Sequence, residues 1–260
     1  MQQLSDEYPD VVLPLLAELV KGDSEPLAAR AAEMLGAASM MMDHEVYGAP
    51  NAPMENPVLE YEMRRHQLIF STLRDAVQDE RASVREPIAT VLTSQSDEIG
   101  LERIAAGHEQ QMYSDDEYVR LLSLGSPDST GKYLIGYLDS TNPELQATVG
   151  AYLAESSQYA PVVLEKILLN DAAPLSSRTE VARNIGNIED LVPLFVSPET
   201  PADLYSEALG TYVERKGSNL TPRQLQMFVE GVEKRASDSG TDFGPLLEDL
   251  NGLYQRKINE

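Results

Sequence analysis

The chain has 260 residues, of which 43 are aspartate or glutamate and 20 are lysine or arginine, so its formal net charge is −23. This charge repels phosphates and excludes the usual electrostatic route to nucleic acid. No stretch approaches the roughly 20 apolar residues that a membrane span needs, and the absence of cysteine excludes disulfides, thiolate nucleophiles and cysteine-bound zinc.

Apolar residues recur every three or four positions through most of the chain, which is the period of amphipathic helices. In the first segment this stripe consists of Val12, Leu15, Leu16, Leu19 and Val20. Further stripes lie within residues 27–35, 69–77, 84–92, 145–153, 163–168, 181–188, 225–232 and 247–254. Sustained alternation of apolar and polar residues, the mark of a half-buried strand, is absent. The sequence therefore predicts an all-α fold.

Helix-start signals agree with these stripes. Three pairs have the spacing of a capping box, in which a hydroxyl and a side chain three residues later each accept a free amide. These pairs are Ser83 with Glu86, Ser114 with Glu117, and Thr221 with Gln224. Asn142 directly precedes Pro143, which places a capping residue before a proline at the first helical position.

The predicted helices form pairs that resemble one another. The second helix of each pair follows an acidic turn, and its first matching residue stands at position 27, 84, 119, 145, 177 or 204; this residue is apolar in every pair except the one with Ser177. Apart from one longer interval between the first two, these positions are about 30 residues apart. Repeats of this length with two helices each predict a helical solenoid, because one pair cannot bury its apolar face alone.

The segment from Asp171 to Ile188, with Arg178, Val181 and Ile185-Gly186-Asn187-Ile188, resembles a HEAT repeat of the short bacterial kind found in phycobilisome-lyase-like proteins. The resemblance extends over about residues 7–215 in five or six units. It implies a right-handed α-α solenoid, or superhelix, whose inner helices bind other proteins. It also implies a ladder of turn acids and helix arginines, with Asp171 opposite Arg178 and Asp79 opposite Arg85.

This interpretation divides the chain into two parts. Residues 1–215 are predicted to form the HEAT-like solenoid, interrupted by a long loop at residues 43–56. Residues 216–260 are predicted to form capping helices of the same domain, because terminal repeats of a solenoid depart from the pattern.

Catalytic and metal-binding motifs are not evident. The segment from Gly125 to Lys132 has five residues between its glycines and a tyrosine after its lysine, so it is not a phosphate-binding loop. The three histidines, His44, His66 and His108, lack the spacing of a metal site, and a structural role is expected for His108. We expect no enzyme activity, no cofactor and no metal.

Five residues are candidates for contact with a partner: Met40, Met41, Met42, Tyr118 and Tyr205. Methionine suits interfaces that repack, and tyrosine is enriched in binding surfaces. The alternative for the methionines is the end of a helix packed under the loop. The alternative for the tyrosines is a place in the solenoid core.

The expected function is that of a non-catalytic scaffold or adaptor that binds another protein, one with a basic surface. Two alternatives are a chromophore-handling protein resembling the bilin lyases and an acidic immunity-type inhibitor of a cationic toxin. Adaptation to a salty environment also fits the acidity. The expected location is the cytoplasm, with the periplasm as the alternative, and the sequence leaves the oligomeric state open.

Overall fold

The computed structural model describes residues 9–40 and 57–259, and every regular element in these two ranges is a helix. The predicted all-α class is therefore confirmed for the described residues. The predicted loop at 43–56 lies outside them. The chain divides into two compact units, residues 1–133 (unit one) and 134–260 (unit two), which are described separately below.

Unit one has seven described helices, six of which form two rows. They are α1 (Pro9–Lys21), α2 (Glu25–Met40), α3 (Pro57–Ala76), α4 (Ala82–Ser94), α5 (Glu98–Glu109), α6 (Asp115–Leu122) and α7 (Pro127–Leu134), the last ending at the first residue of unit two. Helix α2 packs against α4, and α4 packs against α6. Helix α1 packs against α3, and α3 packs against α5. The second helices of successive pairs thus form one row and the first helices another.

Unit two also has a row of stacked second helices, but the elements between these helices are shorter than in unit one. The helices are α8 (Pro143–Leu153), α9 (Ala160–Val163), α10 (Leu175–Asn184), α11 (Val192–Val196), α12 (Ala202–Lys216), α13 (Pro222–Ser239) and α14 (Gly244–Asn259). One π-helical turn at Leu164–Leu168 and 3-10 turns at Ile135–Asp139, Ile188–Leu191 and Gly217–Asn219 complete it. Helix α8 packs against α10, and α10 packs against α12.

The last two helices share a core with α12. Helix α14 packs against both α12 and α13. The cluster contains Tyr205, Leu209 and Val213 of α12 together with Leu225, Val232, Phe243, Leu246 and Leu250. Residues 216–259 therefore pack with α12, the helix that precedes them, inside unit two.

Local capping explains where several helices begin. The Ser114 hydroxyl accepts the amide of Glu117, whose carboxylate in turn accepts the amide of Ser114 at 2.8 Å. Thr221 and Gln224 form the second predicted capping box in the same way. The side chain of Asn142 accepts the first amide of α8 at 3.0 Å, as its position before a proline predicts.

The predicted capping box at Ser83 is wrong. Helix α4 begins at Ala82, two residues earlier than a cap at Ser83 requires, and Arg81 takes the capping position without a side-chain bond. The Ser83 hydroxyl instead donates to Glu25 of α2 at 2.6 Å. A contact with the neighbouring second helix has replaced the local one.

Helix α1 buries a face that overlaps the predicted stripe only in part, at Leu16 and Val20. Leu15 and Leu19 are 59% and 41% exposed, although both belong to that stripe. The buried residues are Leu13, Leu16, Ala17 and Val20. Helix α1 is apolar on more than one side, so its periodicity fits two faces, and its packing against α2 and α3 selects one of them.

Arginines join successive helices by donating to carbonyls at helix ends, where backbone acceptors lack a partner in their own helix. In unit one, Arg81 donates to the carbonyl of Gly22 at 2.8 Å, just after α1. Arg85 donates to the carbonyl of Met112 at 2.7 Å. In unit two, Arg215 donates to the carbonyl of Arg183 at 2.9 Å, near the end of α10.

The implied acid–arginine ladder is present at one of its two expected places. Arg178 is buried and forms an ion pair with Asp171 at 2.9 Å. Asp79 forms its ion pair with Arg81 at 2.6 Å, not with Arg85. Arg81 stands two residues from Asp79 and takes both of its oxygens, which leaves Arg85 to bind the carbonyls of Glu80 and Met112.

Candidate protein-binding surface

A cavity of about 680 Å³ lies along the row of second helices in unit two. Small side chains of α8, Ala147 and Ala151, line it on one side. Three carboxylates also line it: Glu144 in the first turn of α8, Glu155 just after that helix, and Glu180 on α10. The cavity is therefore an open groove with a small-residue wall and acidic edges.

A second cavity, of about 790 Å³, lies further along the same row. Helices α12 and α14 line it, and Arg183 of α10 lies at its edge. Its floor is partly apolar, because the buried Leu246 and Leu250 and the half-buried Leu253 of α14 belong to the lining. Four carboxylates line the cavity as well: Asp203, Glu207, Glu214 and Asp249. The lining thus combines an apolar floor with acidic side chains.

We call the lining of these two cavities on α8, α10, α12 and α14, including Glu155, the acidic face. It carries seven carboxylates, those of Glu144, Glu155, Glu180, Asp203, Glu207, Glu214 and Asp249, against the two cations Arg183 and Arg256. Glu144, Glu155, Asp203, Glu214 and Asp249 form no ion pair with any described residue. The acidic face therefore presents uncompensated negative charge beside concave, partly apolar surface.

An ion-pair network joins the two cavities. The Arg183 guanidinium contacts both oxygens of Glu207, with Nε 3.1 Å from Oε1 and Nη2 2.9 Å from Oε2. Its third nitrogen, Nη1, lies 2.9 Å from Oε2 of Glu180. The Glu207 carboxylate raises the pKa of Arg183 above its usual value, through hydrogen bonding first and charge second.

Most other cations of unit two bind partners other than the carboxylates of the acidic face. Arg178 holds Asp171 and the carbonyl of Leu168. Lys166 holds Asp139, and Lys216 holds Glu189. Arg215, Arg235 and Lys257 donate to backbone carbonyls. The fold therefore uses its scarce cations to join helix ends, and the carboxylates of the acidic face keep their charge.

The candidate tyrosines lie in the cores of their units. Tyr118 is 4% exposed, and its ring stacks on His108 at 4.1 Å. Tyr205 is also 4% exposed and lies under the guanidinium of Arg235 at 4.3 Å, with Phe243 at its edge. Burial raises the pKa of both tyrosines. We do not include them in the binding surface.

The methionine candidates are only partly described. Met40 is the last residue of α2 and is 55% exposed, and it lies in unit one, which does not carry the acidic face. Met41 and Met42 lie outside the described residues. Of the three described candidates, only Met40 is therefore exposed.

Neither a group of metal ligands nor a membrane-spanning helix is found among the described residues. In the ranges 9–40 and 57–259, no three acidic or histidine side chains are grouped so that they could hold a metal ion. His108 lies 2.9 Å from Asp115 and packs on Tyr118, which gives it a structural place. No helix in that part of the chain is long and apolar enough to cross a membrane.

The acidic face was missed in the sequence although a signal for it exists. Glu144 and Asp203 each directly precede the first apolar residue of a second helix, at the same place in two repeats. Glu180 and Glu207 each follow the matching position, 177 or 204, by three residues. Aligning the repeats and listing their polar positions would have shown acids recurring on one helix face. Comparison with known proteins adds nothing to this picture, since no family model, curated protein or solved structure matches the chain.

Proposed function

We propose that this chain is a non-catalytic scaffold or adaptor that binds a basic segment of another protein on the acidic face. The architecture proposed with it is a right-handed solenoid of HEAT-like helix pairs. Packing inside each unit supports this architecture, because α2, α4 and α6, and separately α8, α10 and α12, contact one another in sequence order. Nearest-neighbour stacking of this kind is the defining feature of repeat proteins, and their rows of helices serve as binding surfaces.

The observation that carries the proposal is the combination of cavity and charge on the acidic face. Seven carboxylates surround two cavities, and five of the seven have no ionic partner among the described residues. A basic segment brings the missing cations, and its apolar side chains can pack on Leu253, the half-buried apolar residue of α14 in the lining of the second cavity. Complementary charge speeds encounter and selects the partner, while the apolar floor adds buried area.

The experiment measures binding of fluorescent helical peptides that share one length and one apolar face but carry net positive, zero or net negative charge. We expect binding of the basic peptide only, with affinity that falls as salt is added, because exposed charges are screened beyond about 8 Å at physiological ionic strength. Equal binding of the three peptides, or a salt-independent affinity, would contradict the proposal.

A pair of matched variants locates the site. The first neutralises the five carboxylates without ionic partners: Glu144→Gln, Glu155→Gln, Asp203→Asn, Glu214→Gln and Asp249→Asn. The second makes five neutralisations elsewhere on unit two, at Glu165, Glu199, Glu230, Glu233 and Glu248, all exposed. Both variants have the same net charge, so a general attraction affects them equally. We expect the first to weaken binding about tenfold or more and the second to change it little.

A further inference from the structure

Arg183 occupies the acidic face in a way that resembles a bound ligand. Two nitrogens of its guanidinium face the two oxygens of Glu207, at 3.1 and 2.9 Å, in the parallel arrangement that gives bidentate pairs their specificity. The third nitrogen reaches Glu180 at 2.9 Å. The carboxylates of α10 and α12 are thus spaced to hold a planar, forked cation between the two cavities.

This position is open to exchange. The Arg183 side chain is 55% exposed, and exposed ion pairs contribute little to stability. Glu207 is less exposed, at 25%, so its carboxylate is the fixed part of the pair. Arg215 binds the carbonyl of Arg183, so the backbone of Arg183 stays in place while its side chain can rotate.

The position that the Arg183 guanidinium occupies on Glu207 favours arginine over lysine. A guanidinium presents donors in a rigid plane and can satisfy both oxygens of Glu207 at once, whereas an ammonium is a point charge that cannot form this fork. The two cavities contain five further carboxylates, which attract cations without such geometric demands. They are Glu144, Glu155, Asp203, Glu214 and Asp249.

We propose that Arg183 is an internal stand-in for an arginine of the partner, which replaces it on Glu207 when the basic segment binds. Arg183 then keeps its contact with Glu180, three residues earlier on the same helix. This inference rests on the proposed function and narrows it. The occupant is a basic segment with an arginine at its centre, flanked by cations of either kind.

The test compares two peptides of equal charge, one with arginine and one with lysine at every cationic position. We expect the intact protein to bind the arginine peptide about threefold or more tightly, because only a guanidinium completes the fork. Glu207→Gln removes the fork and should abolish this preference while both peptides still bind. A thermal melt of each variant confirms that it is folded.

The sharpest variant is Arg183→Gln, with Arg30→Gln as its matched control. Arg30 also belongs to an exposed arginine–glutamate pair three residues apart, with Glu33, but it lies on α2 of unit one. Both substitutions remove one positive charge. We expect Arg183→Gln to raise the affinity for the arginine peptide by about two- to fivefold, because the Glu207 carboxylate no longer has an internal guanidinium bound to it. Arg30→Gln should affect the two peptides alike and only slightly.

The outcomes separate the two proposals. If the basic peptides bind but show no arginine preference, or if Arg183→Gln and Arg30→Gln have the same effect, the stand-in role is overturned and the proposed function stands. If neither basic peptide binds, both proposals are overturned.

Discussion

Units one and two each contain a row of stacked second helices, but the elements that cover this row differ between the units. In unit one the first helices α1, α3 and α5 are 13, 20 and 12 residues long. In unit two their places are taken by 3-10 turns, a π-helical turn and two helices of four and five residues. The second helices are therefore the constant part of the repeat, and the first helices can vary as long as they cover one side of the row.

The exposed charges of the two rows differ as well. On α2, Arg30 pairs with Glu33 of its own helix, and Glu25 receives the hydroxyl of Ser83 from α4. On the acidic face of unit two, the cavity-lining carboxylates outnumber the cations. Second helices thus stack in both units, and the acidic face on which we propose binding belongs to unit two.

The largest expected effect on the free energy of unfolding comes from adding a methyl group to a glycine in the row of second helices of each unit. A methyl group on Gly150 of α8 would lie 2.7 Å from Ile167 and 2.8 Å from Val181, on two different elements. On Gly36 of α2 it would meet mainly one methyl of Val91, at 2.6 Å. We expect Gly150→Ala to lower the free energy of unfolding by about 2 kcal/mol.

For Gly36→Ala the expected change stays within about 1 kcal/mol, because a single valine can rotate and alanine favours the helix. Urea denaturation of both variants measures the two values. Equal losses would show that the two rows tolerate close packing equally, contrary to this comparison.

The next effect concerns the two turn acids. Asp79 accepts three hydrogen bonds from Arg81, which in turn holds the carbonyl of Gly22, so Asp79→Asn should cost about 1 kcal/mol. Asp171 is 92% exposed, and Asp171→Asn should cost at most about 0.5 kcal/mol.

The Asp79 effect depends on pH. Hydrogen bonds from Arg81 hold the pKa of Asp79 below its usual value of 3.8, so its contribution is complete above that pH and is lost as the pH falls through the lowered pKa. Unfolding of the Asp79→Asn variant should accordingly approach that of the unchanged protein in acid. A cost that persists below the lowered pKa would contradict the role of the carboxylate.

The last comparison is a difference in pH dependence between the two capping boxes. Ser114→Ala and Thr221→Ala should each cost about 1 kcal/mol at neutral pH. Hydrogen bonds from Ser114 hold the pKa of Glu117 below its usual value of 4.5, so the stabilising contribution is present above 4.5 and lost as the pH falls through the lowered pKa.

The cost of Ser114→Ala should therefore shrink in acid. The cost of Thr221→Ala should not, because its partner Gln224 does not titrate. Thermal melts at neutral and acidic pH compare the two, and a parallel decline in both costs would refute the explanation.

Local signals made part of the fold predictable. Ser114, Thr221 and Asn142 cap the helices that the sequence assigned to them, because a cap involves only the next two or three residues. Ser83 failed as a cap because its hydroxyl has a partner on α2, far away in sequence. Leu15 was assigned to the core because the pattern of α1 fits two faces, and only tertiary packing selects one.

The binding surface was harder to predict than the fold. Tyr118 and Tyr205 have the residue type of an interface, but both are buried, and side-chain type does not reveal which face a helix exposes. The acids of the acidic face were visible individually, at Glu144 or Asp203, within a chain that has 43 of them. Only the stacking of α8, α10 and α12 shows which carboxylates border a cavity.

The most direct measurement is photo-crosslinking of the basic peptide to the intact protein, with the attached residues identified by mass spectrometry. The account predicts attachment on α8, α10, α12 and α14, at residues lining the two cavities. Attachment concentrated on α13 or on the helices of unit one, or spread over exposed acids throughout the chain, would contradict it.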